Sequence, residues 1–436
     1  MSAIAQILRE RGTEISGSDQ KESAVTDRLR SIGIRIDIGH DAKNVEGATL
    51  IVYSAAISPE NPERQAGERL GIPSVERSEM LGRLMDDFRH RVAISGTHGK
   101  TTTTSMASLI LMEAELDPTV LIGGDLDGLG GNAHAGNGDI FITEACEAFS
   151  SFLDLRPSIS VVTNIDEDHM EHYKSLQGII EAFRQFLSQT DPAGLLVLCK
   201  DDENVQNLLP ELSSRRVVTY SVREPADLTA ENIKLAANAS YDLVQNGKNL
   251  GRISLGLPGL QYVANSLAAA AIGFELGATF KQICAGLGRY KGTERRFEIL
   301  GTSRGVTVID DYAHHPKEIR ATIEGARSAY SGRIIAVFQP HLYSRTQFFL
   351  KDFANALSLA DLAIITEIYP SREKPIEGIT GKLIVQEMDG RAEFVANKKD
   401  VPARAEEIVR AGDVVLVMGA GDIREEAEEF LRRLQQ

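Results

Sequence analysis

The stretch AISGTHGKTTTTSM, residues 93–106, is a short apolar run followed by two glycines, a lysine and four consecutive threonines. It reads as a strand, a glycine turn and a helix start. GTHGKT departs from the GxxxxGK[ST] phosphate-loop spacing, because position 94 is Ile rather than Gly. The physical parts of an anion site are nevertheless present. Gly96 and Gly99, with Thr97 and His98 between them, let backbone amides approach a phosphate, and Thr101 and Thr102 begin a helix whose free N–H groups point at it. Lys100 is placed to neutralise terminal phosphate oxygens, and the Thr101 hydroxyl to hold a magnesium ion. His98 keeps two readings open: it donates to phosphate, or it packs across the turn and serves only the loop's shape. The bland alternative for the whole segment is a capped helix carrying a solvent-facing lysine.

Working outward, 436 residues exceed one ordinary core and fit two or three domains. A charge of −15 argues against a nucleic-acid partner, because phosphate backbones are held by clustered Lys and Arg. Cys146, Cys199 and Cys284 lie far apart without zinc or redox spacing, and their odd number favours a reducing compartment. The start, MSAIAQIL, lacks the basic region and cleavage site of a signal peptide. The longest apolar run, LAAAAIGF at 267–274, falls well short of a membrane span and reads as a buried helix.

The alternation of helical and strand patterns gives an α/β fold class. Met1, Ile4, Ala5 and Leu8 form one helical face with Gly12 as its stop, and TEISGSD follows as a short strand. A parallel open sheet more often begins with a strand, so a first strand is expected ahead of this helix. From Val92 the pattern restarts and runs through DIFITEA and SISVVTNID, apolar runs suited to buried parallel strands. Between about 190 and 256 the runs LLVLC, RRVVTYS, YDLVQNG and GRISLGL lie closer together, which predicts that part of the sheet is antiparallel. A third unit begins near Phe297, with strands in GVTVIDDY, RIIAVFQPH, LAIITEIY and DVVLVMGAG. The repeated strand-then-loop pattern suits a mononucleotide-binding topology, with ligands beyond the carboxyl ends of the strands.

Carboxylates and histidines recur at these strand ends. Glu144 and Glu147 follow DIFIT, and one Glu with Thr101 and nucleotide phosphates suffices for Mg²⁺; otherwise the pair is acidic loop decoration. Cys146 between them reads as a small packed residue. TNIDEDHMEHY places Asn164, Asp166, Asp168, His169 and His172 near one strand end; zinc on the two histidines is conceivable, but the oxygen-rich surroundings favour magnesium. RRFE, DDYAHHP and FQPHLYSRT add Arg295, Arg296, Asp311, His315, His341 and Arg345. Asp311 either accepts from ribose hydroxyls or caps a helix starting at Pro316.

With SGTHGKTTTTSM, TNIDEDHMEHY, RRFEILG, IDDYAHHPKEIRATI, FQPHLYSRT, YPSREKPIEGITG and VVLVMGAGDI in this order, the chain resembles the ATP-dependent Mur ligase family, and within it the UDP-N-acetylmuramate–L-alanine ligases. The resemblance covers nearly all of the chain. It implies three domains: a Rossmann-like unit for the UDP-sugar over 1–90, a central P-loop ATPase over 91–296, and a Rossmann-like unit for ATP and amino acid over 297–436. It also implies a cytoplasmic enzyme of peptidoglycan precursor synthesis, with ATP and Mg²⁺ as cofactors and UDP-N-acetylmuramate and L-alanine as substrates. By the same resemblance Lys100 binds phosphate, and Thr101, Glu144 and His169 hold divalent ions. Asn265 faces adenine, Asp311 contacts ribose or nucleotide, and His341 and Arg345 serve the amino-acid and phosphoryl end. Arg296 is a softer transfer beside Arg295 and His315.

Four departures from the family's pattern stand out. A first strand and a glycine-rich loop usually precede SAIAQIL, so UDP-sugar binding by the chain as given is expected to be impaired. EACEAFSSF replaces the commoner EADESDASF, putting Cys146 and Phe149 at acidic positions. Gln261 and Tyr262 stand where HN is common, and Leu342 stands where Arg is frequent. The mechanism implied is transfer of the γ-phosphoryl group of ATP to the sugar-borne carboxylate, then attack of the amine of L-alanine on the acyl phosphate, with Mg²⁺ and Lys100 stabilising charge. His341 is open between general base and carboxylate binder. Two other functions are kept: a ligase that recycles murein peptides, and a nucleotide-dependent binding or regulatory protein that does not ligate.

Overall fold

Ahead of residue 90 the strands are short and pair two by two. The structure, a computed structural model, describes residues 1–371, 373–388 and 390–436, with Asp127 described by its backbone alone. Arg372 of the YPSREKPIEGITG stretch therefore lies outside the described residues. The chain forms two compact units. The first comprises Met1–Thr229, Gln245–Lys248 and Asn265–Gly286, and the second Ala230–Val244, Asn249–Ala264 and Leu287–Gln436.

The opening helix spans Ser2–Glu10 and ends before Gly12, which takes a φ of +88°. Its buried residues are Ala3, Ile4 and Ile7, whereas Met1 is 48% exposed. Of the expected face, Ile4 is buried and Leu8 packs against the core, whereas Met1 is the N-cap and lies outside the first turn. β1 (Ser16–Asp19) and β2 (Arg35–Ile38) form one parallel pair, β3 (Ile51–Tyr53) and β4 (Ser74–Glu76) another.

From residue 90 the apolar runs become full strands: β5 (His90–Ser95), β6 (Thr119–Leu126), β7 (Gly131–His134), β8 (Ile140–Glu144), β9 (Ile159–Val162), β10 (Leu195–Cys199) and β11 (Arg216–Ser221). Their order is β11-β10-β9-β5-β8-β6-β7. All neighbours are parallel except β6 and β7. Part of the sheet between about 190 and 256 was expected to be antiparallel; β10 and β11, the first two of those runs, are parallel. The helix Glu203–Leu208 and the turn Leu209–Leu212 supply a crossover between them, which a parallel pair requires. β12 (Leu228–Lys234) starts parallel to β11, with Tyr220 opposite Leu228. β13 (Ser240–Gln245) and β14 (Lys248–Ser254) flank Asn246-Gly247, both at positive φ as a tight hairpin turn demands. The helix Leu260–Glu275 carries the LAAAAIGF run, in which Leu267 through Ala270 and Ile272 are wholly buried.

The second unit holds β15 (Glu298–Ser303), β16 (Val306–Asp311), β17 (Ile334–Phe338), β18 (Leu362–Thr366), β19 (Ala392–Val395) and β20 (Val414–Met418), in the order β15-β16-β20-β17-β18-β19. Only β15 is antiparallel to its neighbour. β20, last in the chain, lies between β16 and β17. Among the described residues no helix is long and apolar enough to cross a membrane.

One charged network ties the end of this unit to its beginning. Arg424, opening the last helix Arg424–Gln435, donates to Asp310 at 2.9 Å and to Glu298 at 3.0 Å. Asp310 is wholly buried, and burial raises its pKa even though Arg295 and Arg424 oppose the rise. Removing one partner of such a network strands a charge in a poor solvent. Arg424→Ala is therefore expected to cost about 2–3 kcal/mol in urea unfolding at pH 7; a loss below about 0.5 kcal/mol would show that the network contributes no more than a surface pair.

Candidate active site

Strand register decides which residues meet. Ile94 of β5 stands beside Glu144 of β8, and Ser95 beside Val162 of β9, so three parallel strands end together. Gly96, the carboxylate of Glu144 and Thr163 consequently emerge at one edge. Gly96 leaves β5 at φ +133°, and a Cβ there would lie 2.0 Å from Thr163 Oγ1. Gly99 has φ +85°, and its missing Cβ would sit 2.6 Å from Asn265 Oδ1. Both glycines thus permit positive φ and a close approach that any side chain would block.

The loop between them is stitched to the segment after β9. Thr97 N donates to Asn164 O at 3.1 Å, and Asp166 N to Thr97 Oγ1 at 2.8 Å. His98 N donates to Asn164 Oδ1 at 2.8 Å, while Asn164 Nδ2 and Thr163 Oγ1 donate to His98 O at 3.0 and 2.6 Å. The His98 ring lies 3.6 Å from Asp166 Oδ2. The His98 backbone therefore holds the loop's shape, and these bonds do not involve its imidazole.

The helix Lys100–Glu113 begins at Gly99 with no side-chain cap, and Thr101 through Leu111 are all buried. Threonine is a poor helix former, so burial on every side rather than propensity holds this helix. Its first N–H groups receive nothing from a capping side chain, the condition for an anion site. Lys100 Nζ donates to Gly96 O at 2.5 Å and Thr97 O at 3.1 Å, and lies 2.8 Å from Glu147 Oε2. Burial alone would depress the ammonium's pKa; Glu147, aided by the nearby Cys146 and Glu144, outweighs it and the net shift is upward. Burial and the adjoining Glu147 also raise the Cys146 thiol, in keeping with a packed residue rather than a nucleophile.

Glu144 accepts from Thr101 Oγ1 at 3.0 Å and from Gly123 N at 2.5 Å. A carboxylate against a threonine hydroxyl, beside a helix start, is an all-oxygen donor set that fits a hard cation such as Mg²⁺. His169, at φ +52°, has its Nε2 4.0 Å from Glu147 Oε1 and its Nδ1 3.8 Å from Glu171 Oε1. His172 Nε2 is bonded to Ser150 Oγ at 2.9 Å, so the two histidines do not converge as a zinc pair would. Asn265 is buried against Gly99, and Thr102 is buried in the first helical turn. Glu147 and Asn164 were named in the sequence only among strand-end candidates, without a role of their own. Glu147's place after a strand was the available signal, but only the fold shows that it, rather than Glu144, grips Lys100.

In the second unit Asp311 accepts from Ala313 N at 2.7 Å and Phe297 N at 2.8 Å. The helix does start at Pro316, but His315 and Glu318 cap it, so Asp311 is not the cap. Arg295 and Arg296 lie over the Tyr312 ring at 5.0 and 5.1 Å. Arg345 Nη1 donates to His341 Nδ1 at 3.1 Å, and the His341 ring stacks on Tyr369 with centroids 5.9 Å apart. Leu342 between them has φ +71° and is buried.

Burial pushes the Asp311 carboxyl up to about 6 against the opposing charge of Arg296. An acid with a raised folded pKa favours folding fully below its unfolded pKa of about 3.9, and loses that advantage as pH rises through the folded value. The stability of the wild type relative to Asp311→Asn is expected to fall between about pH 4 and 6 and to level off above. Urea unfolding of both proteins at pH 4, 5, 6 and 7 measures this; a difference independent of pH refutes it.

Three family models match the chain in order: "Mur ligase family, catalytic domain" over residues 1–89, "Mur ligase middle domain" over 94–273 and "Mur ligase, glutamate ligase domain" over 295–421. A UDP-N-acetylmuramate–L-alanine ligase of Alkaliphilus metalliredigens is 46% identical over 97% of this chain and 93% of its own length. The crystal structure of the UDP-N-acetylmuramate-alanine ligase of Thermotoga maritima aligns with all of the chain and 96% of its own, with a TM-score of 0.84 and 31% identity. A murein peptide ligase of Psychrobacter arcticus shares the fold at 22% identity and a TM-score of 0.72, over all of this chain and 96% of its own. Matched from its first residues to its last strand, this α/β chain belongs to the Mur ligase family.

Proposed function

We propose that the chain joins L-alanine to UDP-N-acetylmuramate with ATP, forming UDP-N-acetylmuramoyl-L-alanine, ADP and phosphate for peptidoglycan precursor synthesis in the cytoplasm. The observation that carries the reading is the loop at Gly96–Lys100, where a buried ammonium, an uncapped helix start and the Glu144–Thr101 pair lie together. The activity named for the full-length relatives supplies the substrates. A carboxylate cannot condense with an amine in water because hydroxide leaves poorly. Transfer of the terminal phosphoryl group to the sugar-borne carboxylate removes that obstacle, and the amine of L-alanine then displaces phosphate from the acyl carbonyl.

Lys100 and the first amides of its helix hold the phosphates and stabilise the charge that develops during transfer. Thr101, Glu144 and, from the Glu147 side, His169 are the proposed divalent-ion residues. Mg²⁺ bound there would neutralise phosphate charge. Gly96 to Thr102, Asn265, Arg296 and Asp311 are assigned to the nucleotide, and His341 and Arg345 to the amino acid and the transferring group. Arg345 only donates, so a neutral His341 that accepts at Nδ1 carries its proton on Nε2. That tautomer favours a carboxylate-binding donor over a general base. Residues 1–90 are assigned to the UDP-sugar, 91–296 to ATP and 297–436 to ATP and the amino acid.

The test is substrate dependence with the product weighed directly. ADP release is expected to require both UDP-N-acetylmuramate and L-alanine, and the product to carry the added alanine mass; release without either substrate would point to a protein that does not ligate. Lys100→Met is expected to lower kcat by about a thousandfold. In a titration of Mg²⁺ against rate, Glu144→Gln is expected to raise the half-saturating concentration by about tenfold or more; an unchanged curve would remove Glu144 from the metal site.

A further inference from the structure

Phe149 stands two residues beyond the carboxylate that grips Lys100, and it is 48% exposed. It takes φ +54° and ψ 26°, and Ser150 follows at φ +59°. A bulky side chain in the left-handed region is strained by roughly 1–2 kcal/mol, and such outliers collect where a side chain has to be aimed. The surroundings hold this conformation from several directions. Ser150 Oγ is bonded to His172 Nε2 at 2.9 Å, and the Tyr173 hydroxyl donates to Glu147 O. The His172 ring meets Phe149 edge-on with centroids 5.7 Å apart, and Tyr173 in the same way at 4.7 Å.

Burial does not explain the residue, since half of its surface faces water, and backbone preference opposes it. Its position relative to Lys100 narrows the role. The terminal phosphate is gripped at Nζ, so the acceptor carboxylate has to come up to that end of the nucleotide. Two residues along the chain from Glu147, Phe149 has its Cα within about 7 Å of the Cα of the residue that holds Lys100, so an exposed ring on this loop is closer to the acceptor's body, a pyranose with a non-polar C–H face and a lactyl methyl, than to the purine at the far end of the triphosphate. We infer that Phe149 is a specificity-determining residue, the apolar platform on which the sugar of UDP-N-acetylmuramate rests while its carboxylate is phosphorylated. The inference rests on the ligase reading above and deepens it.

Glycine accepts this backbone conformation without strain, so Phe149→Gly removes the ring without forcing the loop out of shape. Steady-state kinetics and thermal unfolding are compared for the wild type, Phe149→Gly and Phe149→Tyr. The glycine variant should keep or raise Tm, hold kcat within about twofold, and raise KM for UDP-N-acetylmuramate about tenfold, leaving KM for ATP and L-alanine unchanged. The tyrosine variant should restore the wild-type KM. An unmoved sugar KM in a folded glycine variant overturns the inference, and so does a rise in the ATP KM instead, which would put the ring against the nucleotide. A fall in Tm together with all kinetic constants would give Phe149 a purely structural role and overturn it too. A wild type that makes no alanine-containing product rejects the ligase reading itself, an outcome separate from these.

Discussion

A buried ammonium with one carboxylate to balance it is the constraint on which the rest of the site depends. Lys100 has three N–H donors, and Gly96 O, Thr97 O and Glu147 engage them, so the lysine clamps its own loop. Neither charge tolerates the loss of the other at this depth. Under the proposed function, a terminal phosphate arriving at Nζ has to share or replace one of these acceptors, which would couple nucleotide binding to the shape of the glycine turn and to the segment that carries Glu147.

Parallel register makes that constraint possible. Because β5, β8 and β9 end level with one another, the phosphate loop, Glu144 and the Thr163–Asp166 segment reach the same edge without any long-range search by flexible side chains. Asn164 then works as a bracket, accepting from and donating to the backbone of His98. Gly123 N supports Glu144 from β6, across the sheet from β5. The site is therefore built on rigid strands, with one short loop adapted to the ligand.

The strand, glycine turn and helix start at 93–106 were legible because their signals are local: the apolar run and the glycines need no distant partner to be recognised. The α/β class was legible for the same reason, through the period and length of the apolar runs. Glu147 was harder to read, since its three-residue offset from Glu144 decides its role only after the chain turns at Ala145 and Cys146. Asp311 was read as a ribose contact or a helix cap, and the second alternative fell to His315, whose imidazole accepts from Lys317 N and completes the cap with Glu318. Close spacing after residue 190 predicted a partly antiparallel sheet; it suits the Asn246–Gly247 hairpin, but not β10 and β11, which are parallel because a short helix crosses between them.

By itself the sequence determined which residues can carry charge, donate to phosphate or adopt positive φ, because those are properties of single residues and their immediate neighbours. It determined the strands and helices too, since burial periodicity is a local record of the fold. Only the tertiary structure decided which carboxylate faces Lys100, which way His169 and His172 point, and that Phe149 is held half in solvent on a strained backbone. Those outcomes depend on strand register and on contacts between segments tens of residues apart, and the free energy that selects among them arises only when those segments pack.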